Sequence, residues 1–124
     1  MPRTAPIVSG SPSETEAVGA ALARVLGPGD VVGVAGPVTS PTFTIGHRYE
    51  GPVPVAHLDL YRLAGLSDER WSDLEPYFDG TIVFVEWPEH AAGSLPRLRA
   101  TVTLAHVDPA HRTITIESDD DLRL

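Results

Sequence analysis

The sequence predicts a mixed α/β fold, and three observations carry that expectation. Val31–Ala35 and Thr81–Val85 are short apolar runs with no apolar/polar alternation, the pattern of strands covered on both faces. Between Ser11 and Leu26 apolar residues recur at helical spacing, which marks one buried helix face. Arg99–His106 and Arg112–Glu117 alternate cleanly around Asp108-Pro109, as a hairpin with one face in water does.

Taken in order, residues 1–10 are polar and proline-containing around the apolar pair Ile7-Val8. They are expected to be a loose end, as is the tail from residue 118. Ser11 is suited to cap a helix, with Pro12 at the first helical position and Glu14 three residues after the cap. Val18, Ala21, Leu22, Val25 and Leu26 form the buried face, and Gly27-Pro28-Gly29 stops the helix. Val31–Ala35 follows as a buried strand. Phe43–Tyr49 places Phe43, Ile45, His47 and Tyr49 on one side, Gly51-Pro52 breaks the chain, and Val53–Leu60 resumes as a strand. Those two runs read as a hairpin. Ser67-Asp68-Glu69 opens a short helical stretch reaching about Leu74. Strands covered on both faces normally need several helices, and this chain offers one strong helix and one weak one.

The chain has 124 residues, of which 42% are hydrophobic and 21% charged. That is one ordinary domain with a globular balance, which excludes disorder and fibrous repeats. Cysteine is absent, so disulfides, thiolate metal sites and thiol nucleophiles are excluded together. No apolar run approaches the ~20 residues that span a bilayer, and the N-terminus lacks the apolar core of a secretory signal. A cytoplasmic protein is the expectation. All nine basic residues are Arg, against seventeen acidic ones, for a net charge of -8. The lack of lysine excludes a Schiff-base lysine and the phosphate-gripping lysine of a P-loop. The negative balance argues against this chain gripping nucleic acid alone. Asp119, Asp120 and Asp121 are expected to form a solvated acidic end.

Three groups of residues are candidates for chemistry. In His57-Leu58-Asp59-Leu60-Tyr61-Arg62, strand geometry points His57, Asp59 and Tyr61 to one side and Ala56, Leu58 and Leu60 to the other. The pattern alone fits a solvated sheet face. Its place at the C-terminal end of a strand, where open α/β sheets bind ligands, favours a site. Glu86-Trp87-Pro88 ends an apolar strand in a carboxylate, as a Walker B strand does when its acid orients Mg²⁺, although many strands end this way. A tryptophan directly after the acid implies a packing or stacking partner. The third group, Ser40-Pro41-Thr42-Phe43-Thr44, is explained as a turn entering a strand, or as a source of hydroxyls for a metal or phosphate. His90, His106 and His111 are isolated and receive no role, and the five histidines show no zinc-site spacing.

Together, Ser40-Pro41-Thr42-Phe43-Thr44, His57-Leu58-Asp59-Leu60-Tyr61-Arg62-Leu63 and Glu86-Trp87-Pro88 resemble the TsaE family, in this order and at these separations. That family is the small bacterial ATPase subunit of the machinery making threonylcarbamoyladenosine in tRNA. The likeness runs from residue 11 to about residue 117. It implies a P-loop NTPase-like three-layer fold with a mixed, mostly parallel sheet. By the same resemblance Thr42 would be the switch-region hydroxyl near the γ-phosphate. Asp59 would polarise the attacking water or hold the metal's hydration shell. Glu86 would be the Walker B-like Mg²⁺ carboxylate, and Trp87 would sit beside the nucleotide. Tyr61 and Arg62 would support that pocket or face partner proteins. ATP and Mg²⁺ are the implied cofactors, and TsaB and TsaD the implied partners, with tRNA reached only through their complex.

One part of the family pattern is missing. Gly36 resembles the first glycine of the P-loop, yet Pro37 already belongs to the Ser-Pro-Thr element. Relative to a P-loop with its helix, roughly two dozen residues are absent. The lost segment would supply backbone N–H donors, a helix N-terminus and a lysine to the phosphates. Asp59 and Glu86 remain and would repel a bare triphosphate, and Arg48 and Arg62 do not replace a cradle of amides. ATP binding and hydrolysis are therefore expected to be impaired. Residues 36–42 are too few for a helical crossover, so the fold is expected to lack the P-loop helix. One sheet face then exposes apolar side chains, which invites self-association. Two other readings stay open: a non-catalytic module docking on TsaB–TsaD, and a metal-dependent hydrolase built on His57, Asp59 and Glu86.

Overall fold

A computed structural model describes residues 4–36, 46–61, 63, 68–91 and 93–122. In chain order come β1 (Ile7–Ser9), α1 (Pro12–Ala23), β2 (Val31–Ala35), β3 (Gly46–Tyr49), β4 (Val55–Asp59), α2 (Asp68–Leu74), β5 (Ile82–Glu86), β6 (Ala100–Asp108) and β7 (His111–Ser118). Short 3-10 turns occupy Glu75–Phe78 and Pro88–Ala91. The strands form one seven-stranded sheet in the order β1-β7-β6-β2-β5-β4-β3. Its four central strands, β6, β2, β5 and β4, run parallel. Antiparallel strands extend both flanks, β7 and β1 beyond β6 and β3 beyond β4.

Two-sided burial explains why β2 and β5 lack alternation. Val32 packs with Leu22 and Leu26 from the α1 side, together with Ile82, Ile114 and Ile116. Val31, its neighbour, packs on the other side with Leu58, Leu74, Val83 and Val85. Helices and sheet thus make three layers, each interface excluding apolar surface from water. The α1 cover is partial, and Val55, Phe84 and Val102 on its side are half-buried. At the start of α1, Ser11 Oγ accepts the Glu14 amide at 3.2 Å, as the cap spacing predicts. Glu14 Oε2 in turn accepts from Gly10 N at 2.7 Å, one residue before the cap instead of at the cap itself.

Within the two ends expected to be loose, Ile7–Ser9 joins the sheet and Leu122 joins the core. β1 pairs with β7 in the register Val8↔Thr113, because the edge of β7 offers unpaired backbone groups that even three residues can satisfy. Of the tail's three aspartates, Asp120 and Asp121 are exposed as expected, and Asp119 is not. Asp119 is 7% exposed and Leu122 8%, since Asp119 pairs with Arg97 and Arg99 and Leu122 joins the α1-side core. The expected start of β3 at Phe43, the Ser-Pro-Thr segment and Ser67 lie outside the described residues.

β3 runs antiparallel to β4, which is parallel to β5 and so to β2. The end of β2 and the start of β3 therefore lie at the same end of the sheet. Three strand spacings, about 14 Å, separate them, and the ten residues 36–45 reach beyond that when extended. The positions of β2 and β3 thus require no return along the sheet between them. Gly36 begins it with φ 131, and a Cβ there would lie 2.2 Å from the Leu104 carbonyl oxygen, so only glycine fits. No helix among the described residues is long and apolar enough to cross a membrane.

Candidate functional site

The parallel pairing of β4 with β5 sets Asp59 opposite Glu86 and His57 opposite Phe84. Because strand side chains alternate, His57 and Glu86 emerge on the same face as Val55 and Phe84, the α1 side. His57 Nε2–H donates to Glu86 Oε2 at 2.9 Å, with the carboxylate 12% exposed and the imidazole 40%. The hydrogen bond to Glu86 raises the His57 pKa above its ordinary value; burial opposes this, and the charges of Glu86 and Asp59 add to it. Asp59 is 8% exposed, and its Oδ1 accepts the Tyr61 amide at 3.0 Å, an Asx-type turn that ends the strand. Leu60 N–H donates to the Glu86 carbonyl at 3.1 Å, which extends the pairing by one residue.

Glu86 is followed by a strained corner. Trp87 has φ 59 and is the one non-glycine residue with positive φ among the described residues. For a bulky side chain such a conformation costs about 1–3 kcal/mol and persists only where its surroundings enforce it. The indole lies 5.2 Å from the Tyr61 ring and 5.4 Å from the His90 ring. His90 Nδ1 is 2.7 Å from the Leu60 carbonyl oxygen. A cavity of about 80 Å³ opens beside the corner, lined by Val34, Ala35, Gly36, Trp87 and Glu89.

The structure thus brings together Asp59, Tyr61, Glu86 and Trp87, four of the six residues to which the resemblance gives roles, with His57 beside them. Thr42 and Arg62 lie outside the described residues. Arg48 does not approach the acids; it pairs with Glu50 at 2.8 Å. His90 belongs to the cluster although its sequence context marked it as isolated. Its signal was the spacing Trp87-x-x-His90 across a proline, which a 3-10 turn converts into a tilted ring contact. A larger cavity of about 580 Å³ lies across β2 from Glu86, between the start of α1 and the β6–β7 hairpin, and no motif had pointed there.

Mg²⁺ with a triphosphate is the group that the sequence resemblance implies at this end of the sheet. Among the described residues no three His, Asp or Glu side chains converge as ligands. Glu86 is engaged by an imidazole and Asp59 by a backbone amide. Two carboxylates with one imidazole present the wrong sign of charge to a polyphosphate. The described residues therefore do not fit that group by themselves.

The family model described as "Threonylcarbamoyl adenosine biosynthesis protein TsaE" matches residues 29–114. Proteins named tRNA threonylcarbamoyladenosine biosynthesis protein TsaE are similar over most of the chain. The Treponema pallidum protein is 35% identical over 86 residues, covering 68% of this chain and 64% of its own length. The Streptomyces coelicolor protein is 40% identical over 105 residues, with coverages of 76% and 69%. The chain thus spans about two-thirds of the length of these two relatives. The Bacillus subtilis protein is 30% identical over 128 positions, covering 85% of this chain and 80% of its own. Since 85% of 124 residues is about 105, about two dozen aligned positions of that relative have no counterpart here. Among solved structures, Bacillus subtilis YdiB superposes with a TM-score of 0.73 at 26% identity, over 94% of this chain and 86% of that one. The fold is that of the P-loop NTPases, and the chain belongs to the TsaE family.

Proposed function

We propose that this chain serves threonylcarbamoyladenosine biosynthesis on tRNA as a cytoplasmic TsaE-family component whose ATP binding and hydrolysis are impaired. The observation that carries the reading is the passage from Gly36 straight into Pro37 in a chain without lysine. No glycine-rich loop follows the strand that would bear it, so the amide cradle and its cation are not encoded there. The aligned positions of the Bacillus relative that have no counterpart here support the same reading.

Under this proposal Asp59 and Glu86 keep the places of the water-orienting and Mg²⁺-binding acids, and Trp87 and Tyr61 flank them. Thr42 and Arg62 take the switch-hydroxyl and supporting roles that the family resemblance implies. In the isolated chain Glu86 is hydrogen-bonded by His57, and turnover awaits a phosphate cradle from elsewhere. Docking on TsaB and TsaD without nucleotide is the companion reading, favoured by the self-satisfied state of both acids. The half-buried Val55, Phe84 and Val102 support self-association as well, which light scattering at rising concentration tests. The central test is calorimetric titration with MgATP, with and without TsaB–TsaD. The chain alone is expected to show no micromolar affinity. Micromolar binding with turnover that E86Q abolishes would refute the proposal.

A further inference from the structure

Leu60 is held from two sides by the residues around Trp87. Its N–H donates to the Glu86 carbonyl at 3.1 Å, and its own carbonyl lies 2.7 Å from His90 Nδ1. His90 N–H also donates to the Trp87 carbonyl at 3.0 Å, and its ring packs on the indole. A carbonyl oxygen only accepts, so the proton of this bond sits on Nδ1. That is the less common tautomer of a free neutral imidazole, and the geometry selects it.

We propose that His90 is a positioning residue for this site: by donating from Nδ1 to Leu60 it ties the turn after β5 to the end of β4 and holds Trp87 in its left-handed backbone. Asp59 directly precedes Leu60, and Glu86 directly precedes Trp87. The tie therefore fixes the spacing between the two carboxylate-bearing strand ends, at a corner whose backbone would otherwise relax. The geometry stands by itself. Only its meaning for a nucleotide or partner site rests on the reading of Asp59 and Glu86 given above.

Two measurements on the full chain test the proposal. Nitrogen-15 NMR of the imidazoles at alkaline pH, with His90 assigned by its loss in H90N, is expected to show the Nδ1–H tautomer for His90. An Nε2–H tautomer overturns the proposal. In a W71F background, which leaves Trp87 as the only indole, H90A and H90Q are expected to red-shift the emission and lose the near-ultraviolet dichroism of Trp87. H90N keeps both, because its amide N–H reaches the place of Nδ1 while that of glutamine reaches the place of Nε2. Spectra of H90A that superimpose on its parent overturn the proposal, as do spectra of H90N altered as much as those of H90A. Should H90A fail to fold, the tautomer and the contrast between H90N and H90Q still decide. Tight MgATP binding would sink the functional reading and leave the tautomer result untouched.

Discussion

Both ends of the parallel strands gather carboxylates, and the two ends treat them differently. Where β2 and β6 begin and β7 finishes, Arg99 reaches Asp30 at 3.2 Å, Asp119 at 2.9 Å and Asp121 at 2.8 Å, and Arg97 reaches Asp119 at 2.7 Å. Every acid of that cluster meets a guanidinium, a cation that keeps its proton throughout the working pH range. At the opposite end Glu86 meets an imidazole and Asp59 a backbone amide. Imidazole gives up its charge near neutrality. The saturated end is built for stability, whereas the end where α/β sheets bind ligands holds its acids with groups that are easily displaced.

The largest expected effect lies at the saturated end. Asp119→Ala leaves Arg97 and Arg99 without the buried carboxylate they share and is expected to cost about 2 kcal/mol, as hydrogen bonds to charged groups do. Urea unfolding measures it, and a loss near zero would break the contrast. Glu86→Gln at the other end is expected to cost less, within about 1 kcal/mol, because the His57 partner is partly solvated. A larger loss for Glu86→Gln than for Asp119→Ala would invert the comparison.

The pH responses of the two ends carry opposite signs. Glu86 raises the folded-state pKa of His57 above 6.5, so the stability from that pair is fully present below the unfolded value and is lost as pH rises through the folded one. Thermal midpoints compared at acidic and alkaline pH should show this drop, and His57→Asn should abolish it. Arg99, chiefly by hydrogen bonding, lowers the Asp121 pKa. Its stability is present above the unfolded value of about 3.9 and fades as pH falls through the folded one. This is the smallest effect, since Asp121 is largely solvated, and Asp121→Asn should flatten the acid limb of the curve. A drop in the same direction at both ends would contradict the pairing described.

Where a residue's fate is set by its near neighbours in sequence, the fold was legible. The unbroken run around Val31 and Val32 announced burial on both faces, and Ile114 and Ile116 announced the wet-faced hairpin. Ser11 and Pro12 announced the start of α1. Fates set by partners far along the chain were hidden. Ile7-Val8 is too short to show a period, and its strand exists because β7 lies beside it. Asp119, first in a run of three aspartates, reads as solvated until Arg97 and Arg99 are placed next to it. Of the site, the strand-end acids were visible through their motifs. The bond from His57 to Glu86 joins residues 29 apart, and the tie from His90 to Leu60 joins residues 30 apart. Spacing along one sequence does not reveal either bond.

The shared sheet end of β2 and β3 has an architectural consequence. A segment that leaves and re-enters a sheet at the same end behaves like a cartridge: its length can change while the strand pairings on either side stay as they are. A glycine-rich loop with its helix, spliced between Gly36 and Pro37, would plug into a socket that the seven strands already maintain.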